Sequence, residues 1–390
     1  MTSSTSVATR RRWLCGTSLT AAAVAMPCIA QTTKSLALKN LVVAQIVDTS
    51  QAQQDVSKDF LIGSRAAWQD INLRGGIRGN QIQHLTLETD GTPASLRAAL
   101  DTVKNNPLCV ALSGSAGDAL ATQLVTQVRQ SGLNIAHAAP WLQNSSLELD
   151  DNTFAIFAAR QEQITYALKT LSIMGLNELG VIFGSERDQA LYNIEVERIA
   201  ASMQLKLQTF NAGGELRLLA QTMTPRTPAV LLFVGGTPEL AEFTQGLDKQ
   251  SRQRYIVALA DINLQTMLQM GAARHTPVIA TQPVPVVNSS TPVVRSYREI
   301  LARLFDEPPT SLSLAGFIAA RYTFEVLSAV AGPLTRQSAL AAFQKRSPMD
   351  IGGFRVSFNK QRRSSTYVTQ TMMTLDGRLI GQRINDKLAA

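Results

Sequence analysis

The stretch that decides the fold is residues 41–90, LVVAQIVDTSQAQQDVSKDFLIGSRAAWQDINLRGGIRGNQIQHLTLETD. It begins with an apolar run rich in β-branched residues, 41–47, which is typical of a strand buried in a parallel sheet. From Asp59 apolar residues recur at helical spacing until Gly75 and Gly76, which end the helix because glycine adopts positive φ freely. Residues 82–87 are again strand-like. The stretch therefore predicts one strand–helix–strand unit.

The same alternation continues along the chain. Further strand-like runs lie at 110–113, 134–138, 179–183, 229–234, 255–260 and 277–280. Helical patterns separate them at 92–104, 118–130, 163–174, 191–203, 238–250 and 264–270. Because alternating strands and helices form parallel sheets covered by helices on both faces, the sequence predicts an α/β protein.

The first 30 residues have the pattern of an export signal. Three arginines at 10–12 precede an apolar run at 19–26 and a small-residue cleavage site at 28–30. The arginines followed by Trp13 and Leu14 resemble a twin-arginine signal, but general secretion signals are basic here too, so both routes stay open. The apolar run is shorter than the roughly 20 residues of a bilayer span, and no later segment qualifies, so the mature protein is not expected to be membrane-embedded.

Length, charge and cysteine content narrow the classes of protein. The 390-residue chain leaves 360 residues after the signal, more than the ~250–300 that one core supports, so two domains are expected. The net charge falls from +8 to +5 without the three signal arginines, and the basic residues are scattered, so nucleic-acid binding is not expected. Cys109 is the one cysteine left, within an apolar run, and is interpreted as a core residue.

Motifs for catalysis are missing from the sequence. No HExxH, GxSxG, Walker A or CxxC pattern occurs, and the three histidines, His84, His137 and His275, have no motif spacing to Cys109. So few groups leave little material for acid–base or metal chemistry. The sequence predicts a protein that is not an enzyme and needs no cofactor and no metal.

Three motifs carry a family resemblance. Residues 70–82, DINLRGGIRGNQI, with Asp90 resemble the signature INxxGGIxGxxI…D of type I periplasmic binding proteins, in the branched-chain amino acid (Leu/Ile/Val-binding) branch. Residues 311–321, SLSLAGFIAAR, resemble the helix SxxxxxGFxAA of that branch, and residues 352–358, GGFRVSF, resemble its C-terminal ending. The resemblance covers almost all of the chain after the signal.

The resemblance implies two Rossmann-like lobes joined by three crossover segments. The crossings are expected near 152–158, 281–287 and 348–353. Lobe 1 would then comprise residues 31–155 and 284–347, and lobe 2 residues 156–283 and 348–390. Lobes joined by short segments can close around a ligand like a hinge.

The resemblance also implies a ligand held between the lobes, outside the carboxyl ends of the strands. The predicted ligand-binding residues, from both lobes, are Ser115, Ala139, Arg160, Asp188, Asp118, Trp141 and Asp261. In the family the turn at 113–118 commonly holds a ligand carboxylate, but Asp118 stands where Ser or Thr is usual. Asp118 could contact an ammonium group of the ligand or cap its own helix, and we expect the cap. Residues 185–189, SERDQ, lack the Tyr and Gly of the family's DxxYG, which leaves an amino-acid ligand in doubt.

Two of these residues allow more than one interpretation. Trp141 could form a wall of the cleft or pack within its own lobe. Arg160 could pair bidentately with a ligand carboxylate or form a salt bridge at the hinge.

The expected function is that of a periplasmic solute-binding protein. It would capture a small polar solute, amino acid-like or a carboxylate, and deliver it to the membrane permease subunits of an ABC importer, acting as a monomer. The alternative is a sensory module that passes ligand occupancy to a membrane receptor.

Overall fold

The computed structural model describes residues 41–382, except 52, 173–176, 211–214, 249, 251, 273–274, 365–366 and 374–378. The predicted signal peptide at 1–30 lies outside the described residues. None of the helices in the described part of the chain has the length and apolarity of a bilayer span.

Strands and helices alternate as the sequence predicts. The strands are β1 (Leu41–Asp48), β2 (Ile82–Thr89), β3 (Cys109–Ser113), β4 (Ala136–Ala138), β5 (Thr153–Phe154), β6 (Glu178–Phe183), β7 (Lys206–Phe210), β8 (Val230–Val234), β9 (Tyr255–Ala258), β10 (Val278–Gln282), β11 (Met349–Ile351), β12 (Phe354–Val356), β13 (Thr369–Met373) and β14 (Leu379–Gln382). The helices are α1 (Gln54–Leu73), α2 (Pro93–Asn105), α3 (Asp118–Ser131), α4 (Arg160–Ser172), α5 (Glu186–Ser202), α6 (Leu216–Gln221), α7 (Thr237–Leu247), α8 (Leu264–Gln269), α9 (Pro292–Leu304), α10 (Ser311–Ser328) and α11 (Arg336–Gln344).

Two sheets form the centres of the two lobes. The first has the order β2-β1-β3-β4-β5, with every pair parallel. The second has the order β14-β13-β10-β9-β8-β6-β7, in which β13 is antiparallel to both of its neighbours, β10 and β14, and the other pairs are parallel. The strand order reverses direction between β1 and β3 in one sheet and between β6 and β8 in the other. Ligands bind at such points in open α/β sheets.

The turn after α1 follows the prediction from the Gly-Gly pair. Gly75 and Gly76 have φ of 100° and 66°, a conformation that side chains with a Cβ rarely adopt. A Cβ at Gly76 would lie 2.0 Å from the carbonyl oxygen of Asn80. In the tight turn that follows, Asn72 Nδ2 donates to the Ile82 carbonyl oxygen and Asn72 Oδ1 accepts from the Ile82 amide, both at 2.8 Å.

Helices α1 and α10 pack with their backbones in direct contact. A Cβ at Gly63 would lie 1.7 Å from the carbonyl oxygen of Ser313, and one at Gly316 would lie 1.9 Å from that of Phe60. Gly316 is the glycine of the GFxAA motif. Because the two helices meet at these glycines, α10 is fixed onto the first lobe.

The third crossing lies further along the chain than predicted. Residues 348–353 were expected to cross, but β11 and β12 form a two-stranded antiparallel sheet whose Ile351, Phe354 and Val356 join the core of the first lobe. Gly352 and Gly353, with φ of 58° and 95°, make the turn of this hairpin rather than an extended connection. The chain enters the second sheet only at β13. The other lobe boundaries, at 155/156 and 283/284, stay a proposal.

The three connecting segments lie side by side. Ala155 forms an isolated parallel bridge with Arg363, and the Ser364 amide donates to the Ala155 carbonyl oxygen at 3.0 Å. The Thr369 hydroxyl donates to the carbonyl oxygen of Val284 at 2.7 Å. These hydrogen bonds join the three segments that link the lobes to one another.

Cys109 lies fully buried in β3, which confirms its interpretation as a core residue. Burial raises the pKa of its thiol to about 11, so the reactive thiolate is not populated at neutral pH.

Candidate functional site: the cleft between the lobes

A cavity of about 120 Å³ lies between the two lobes. The first lobe contributes Gln53 and Val56 from the start of α1, and Ala119 from the first turn of α3. The second lobe contributes the turns that follow β6, β8 and β9. Because these turns stand at the carboxyl ends of parallel strands, the cavity occupies the position at which this architecture binds ligands.

Arg160 lies at one side of this cavity and is committed to two carboxylates. Its Nη1 donates to Glu195 Oε2 at 2.6 Å and its Nη2 to Asp118 Oδ2 at 2.9 Å. The guanidinium stands 4.0 Å from the ring centre of Tyr192, and the side chain is 2% exposed. Burial by itself lowers the pKa of Arg160, but the two carboxylates outweigh it and raise the pKa above its ordinary value. The sequence left two interpretations of Arg160 open, and this arrangement corresponds to the salt bridge.

Asp118 does not cap its helix, and the prediction that it would was wrong. Helix α3 begins at Asp118, and the residue in the capping position, Gly117, offers no side chain. Asp118 Oδ1 instead accepts from the backbone amides of Gln143 at 2.7 Å and Asn144 at 2.9 Å. These amides come from the loop after β4 and, with Arg160, give a buried carboxylate a full set of partners.

Ser115 and Ala139, two of the predicted contacts, do not line the cavity. The Ser115 hydroxyl lies 2.6 Å from His137 Nε2, and both residues are buried in the first lobe. Burial lowers the pKa of His137 to about 4, so the imidazole is neutral at pH 7. Ala139 is also buried, with φ of 48°, and its amide donates to Phe154. Their role as ligand contacts stays a prediction.

Trp141 combines the packing role with a bond across the cleft. Its ring packs on Phe60 and Phe157, with centroids 5.8 Å and 5.4 Å away. Its Nε1 donates to Asp261 Oδ1 of the second lobe at 2.7 Å, and Gln143 Nε2 donates to the same oxygen at 2.6 Å. These bonds tie the turn after β4 directly to the turn after β9.

Asp261 lines the cavity, and its surroundings disfavour the ionised form of its carboxyl group. Burial raises the pKa of its carboxyl to about 6, and the negative charge of Asp118 adds to the rise. The hydrogen bonds from Trp141 and Gln143 and the charge of Arg160 oppose the rise without cancelling it. Both hydrogen bonds that the structure gives Asp261 go to Oδ1.

Two further residues connect the lobes, and the sequence did not single them out. Gln163 Nε2 donates to Gln143 Oε1 at 2.9 Å, while its Oε1 accepts from the Ala260 amide at 3.1 Å. Asn263 Nδ2 donates to Asp59 Oδ2 at 3.1 Å. Amide side chains of this kind have no signature in sequence because their partners lie on distant segments.

The cavity is bordered by carboxylates. Among the predicted residues Asp188 lines it, and its Oδ2 accepts from the Ser185 hydroxyl at 2.7 Å. Glu239, which the sequence analysis missed, lines it as well, and its Oε2 is covered from solvent yet accepts no hydrogen bond. Burial raises the pKa of both carboxyls. The sequence feature that could have indicated Glu239 is the turn Gly235–Gly236, which leads from β8 into α7.

Comparison with known proteins assigns the chain to a family. The sequence profile of a family described as periplasmic binding protein matches residues 41–375. The chain belongs to the periplasmic binding protein family. The family consists of solute-binding proteins, which agrees with the predicted resemblance and with the prediction that the chain is not an enzyme. A search of curated proteins gives no match.

Solved structures share the fold across almost their whole length. An extracellular ligand-binding receptor from Verminephrobacter eiseniae is 18% identical, with a TM-score of 0.78 over 87% of this chain and 99% of that one. A substrate-binding periplasmic protein from Ralstonia solanacearum is 20% identical, with a TM-score of 0.77 over 88% and 100%. The branched-chain amino acid transporter substrate-binding protein LivJ from Streptococcus pneumoniae, solved with isoleucine, is 14% identical, with a TM-score of 0.72 over 88% and 99%. At these identities the likeness establishes the two-lobed fold.

Proposed function

We propose that the chain captures a small solute between its two lobes outside the cytoplasm and delivers it to the membrane subunits of an ABC importer. The observation that carries this proposal is the cavity of about 120 Å³ at the carboxyl ends of the strands, with residues of both lobes around it. The bonds from Trp141 and Gln143 to Asp261 support it, since they favour the state in which the lobes meet. Ligand binding would shift an open–closed equilibrium toward that state.

The proposal extends to location and partners. The export signal at 1–30, by either route, would bring the protein to the periplasm, where it acts as a monomer. Members of this family serve transporters, and the fatty acid and branched-chain amino acid ABC transporter proteins among the structural neighbours support a permease as partner. Of the predicted site residues we propose Asp188 and Asp261 as ligand contacts, because both line the cavity.

A binding screen tests the function. Residues 31–390 would be purified and heated with amino acids, diamines, dicarboxylates and aromatic acids, one at a time. We expect one class to raise the melting temperature, because a ligand at 100 times its Kd adds about 2.7 kcal/mol to the free energy of unfolding. If no class raises it, the proposed function is wrong.

A pair of variants shows whether the shift comes from the cleft. Ala119→Phe fills the cavity from the first turn of α3 and is expected to abolish the shift. Ala98→Phe makes the same change at an exposed position of α2 and should leave the shift unaltered.

A further inference from the structure

The charge around the cavity identifies the class of ligand, given the proposed function. Two guanidinium groups line it, from Arg160 and Arg187, against three carboxylates, from Asp188, Glu239 and Asp261. Arg160 already holds two more carboxylates in direct salt bridges. Five negative groups therefore face two positive ones, and Arg187 is exposed to solvent, which screens its charge.

Two acceptor atoms at the cavity have no donor. Glu239 Oε2 and Gln53 Oε1 are both covered from solvent and make no hydrogen bond. They stand on opposite lobes, Gln53 just before α1 and Glu239 in the first turn of α7. Since a buried acceptor without a donor is costly, their presence indicates that a donor of hydrogen bonds occupies the cavity in the bound state.

The groups that would hold an anion are engaged elsewhere. The Ser115 hydroxyl is bonded to His137, and Arg160 is shared between Asp118 and Glu195. Asp118 also places a negative charge in the first turn of α3, where a ligand carboxylate would otherwise gain from the helix dipole. A ligand carboxylate would meet repulsion here rather than partners.

The cavity also has an apolar part. Val56 from the first lobe, and Val234 and Leu259 from the second, line it between the polar groups. Methylene groups buried against such side chains gain hydrophobic free energy. A short aliphatic chain with a cationic group at each end matches this distribution.

We infer that the solute is an aliphatic organic dication, with ammonium or guanidinium groups and no carboxylate, bound by Glu239, Asp261 and Asp188. One cationic end donates to Glu239 Oε2 and Gln53 Oε1, and the other to Asp261. The two positive charges of the ligand would reduce the excess of negative groups at the cavity from three to one.

Calorimetric titration of residues 31–390 tests the charge of the ligand. The cationic probes are 1,4-diaminobutane, 1,5-diaminopentane and agmatine, and the comparison probes are L-isoleucine, L-glutamate, succinate and magnesium chloride. We expect at least one cationic probe to bind and none of the comparison probes to bind. Binding of the cationic probe should be weaker at high ionic strength, because salt screens the electrostatic attraction.

The outcomes separate this inference from the function on which it rests. Binding of isoleucine, glutamate or succinate without any cationic probe would leave a solute-binding protein and refute the dication. Magnesium binding without the amines would refute it too. A complete lack of binding across these probes and the broader panel would overturn both.

Charge-removing variants test the named residues. Glu239→Gln and Asp261→Asn keep the shape of the side chain, and each is expected to weaken binding of the best cationic probe about tenfold or more, as the loss of one charge-assisted hydrogen bond does. Glu299→Gln, an exposed change on α9, is the matched control and should bind as the unaltered protein does.

A stability measurement shows whether weaker binding by a variant results from unfolding rather than from the removed charge. Without any probe, Glu239→Gln is expected to melt at or above the temperature of the unaltered protein, because it removes the charge of a partly buried carboxyl whose Oε2 accepts no hydrogen bond. Unchanged affinity of Glu239→Gln and Asp261→Asn would show that the cation binds elsewhere.

Discussion

Asp261 illustrates how one carboxyl group reports on the cleft. Its pKa in the folded protein is about 6, against 3.8 for the free side chain, chiefly because of burial. Between these values the folded state holds the proton and the unfolded chain has released it. The contribution of Asp261 to the free energy of unfolding should therefore fall as pH rises from about 4 to about 6 and level off above that. His84 and His137, whose pKa values burial lowers to about 4, contribute with the opposite sign over this interval.

The variant Asp261→Asn isolates this effect. We expect urea unfolding of the ligand-free protein to show that the free energy of unfolding of Asp261→Asn increases relative to that of the unaltered chain as pH rises over that interval. Parallel profiles for the two proteins would mean that Asp261 does not titrate in this range. The control is Glu299→Gln, which should keep the full pH dependence.

At the residue scale the sequence located only part of the site. Arg160, Asp188 and Asp261 line the cavity. The sequence could locate them because strand ends and helix starts are recognisable from local pattern. The partners of Ser115 and Asp118 could not be recognised, because His137 and the amides after β4 reach them only through tertiary packing.

At the scale of elements, the contact between α1 and α10 makes a direct prediction. Gly316→Ala places a Cβ 1.9 Å from the Phe60 carbonyl oxygen, so the helices must separate. Overpacking of this kind costs about 1–3 kcal/mol, and backbone contact puts this site at or above the upper end. Thermal and urea unfolding measure the loss.

A change on the exposed side of the same helix pair serves as the control. Gln69→Ala lies on the exposed face of α1 and should leave the unfolding free energy within about 0.5 kcal/mol. A Gly316→Ala protein as stable as Gln69→Ala would show that the helices do not approach as closely as described.

The elements themselves were largely predictable, and the exception has a physical reason. Apolar periodicity and the Gly75–Gly76 stop placed β1, α1 and β2 correctly. The hairpin β11–β12 was missed because Gly352–Gly353 fits both an extended crossing and a tight turn. Only the packing of Phe354 and Val356 on the first lobe decides between them.

At the scale of the molecule, the cross-cleft bonds should govern the shape of the ligand-free protein. Trp141→Phe keeps the packing on Phe60 and Phe157 but removes the donor to Asp261. We expect the open population to grow, and small-angle scattering to give a larger radius of gyration without ligand.

The second tryptophan of the described chain provides the control. Trp68 is buried in α1, and its Nε1 has no hydrogen-bond partner, so Trp68→Phe should leave the radius of gyration unchanged. If Trp141→Phe scatters as Trp68→Phe does, the indole bond does not contribute to closure.

The three side-by-side connections have a consequence for how the molecule withstands damage. Each lobe is built from separate stretches of the chain. A single protease cut in any one connection therefore leaves two intact connections between the lobes. A nicked molecule would keep its halves facing each other, much as a door stays hung when one of three hinges is lost.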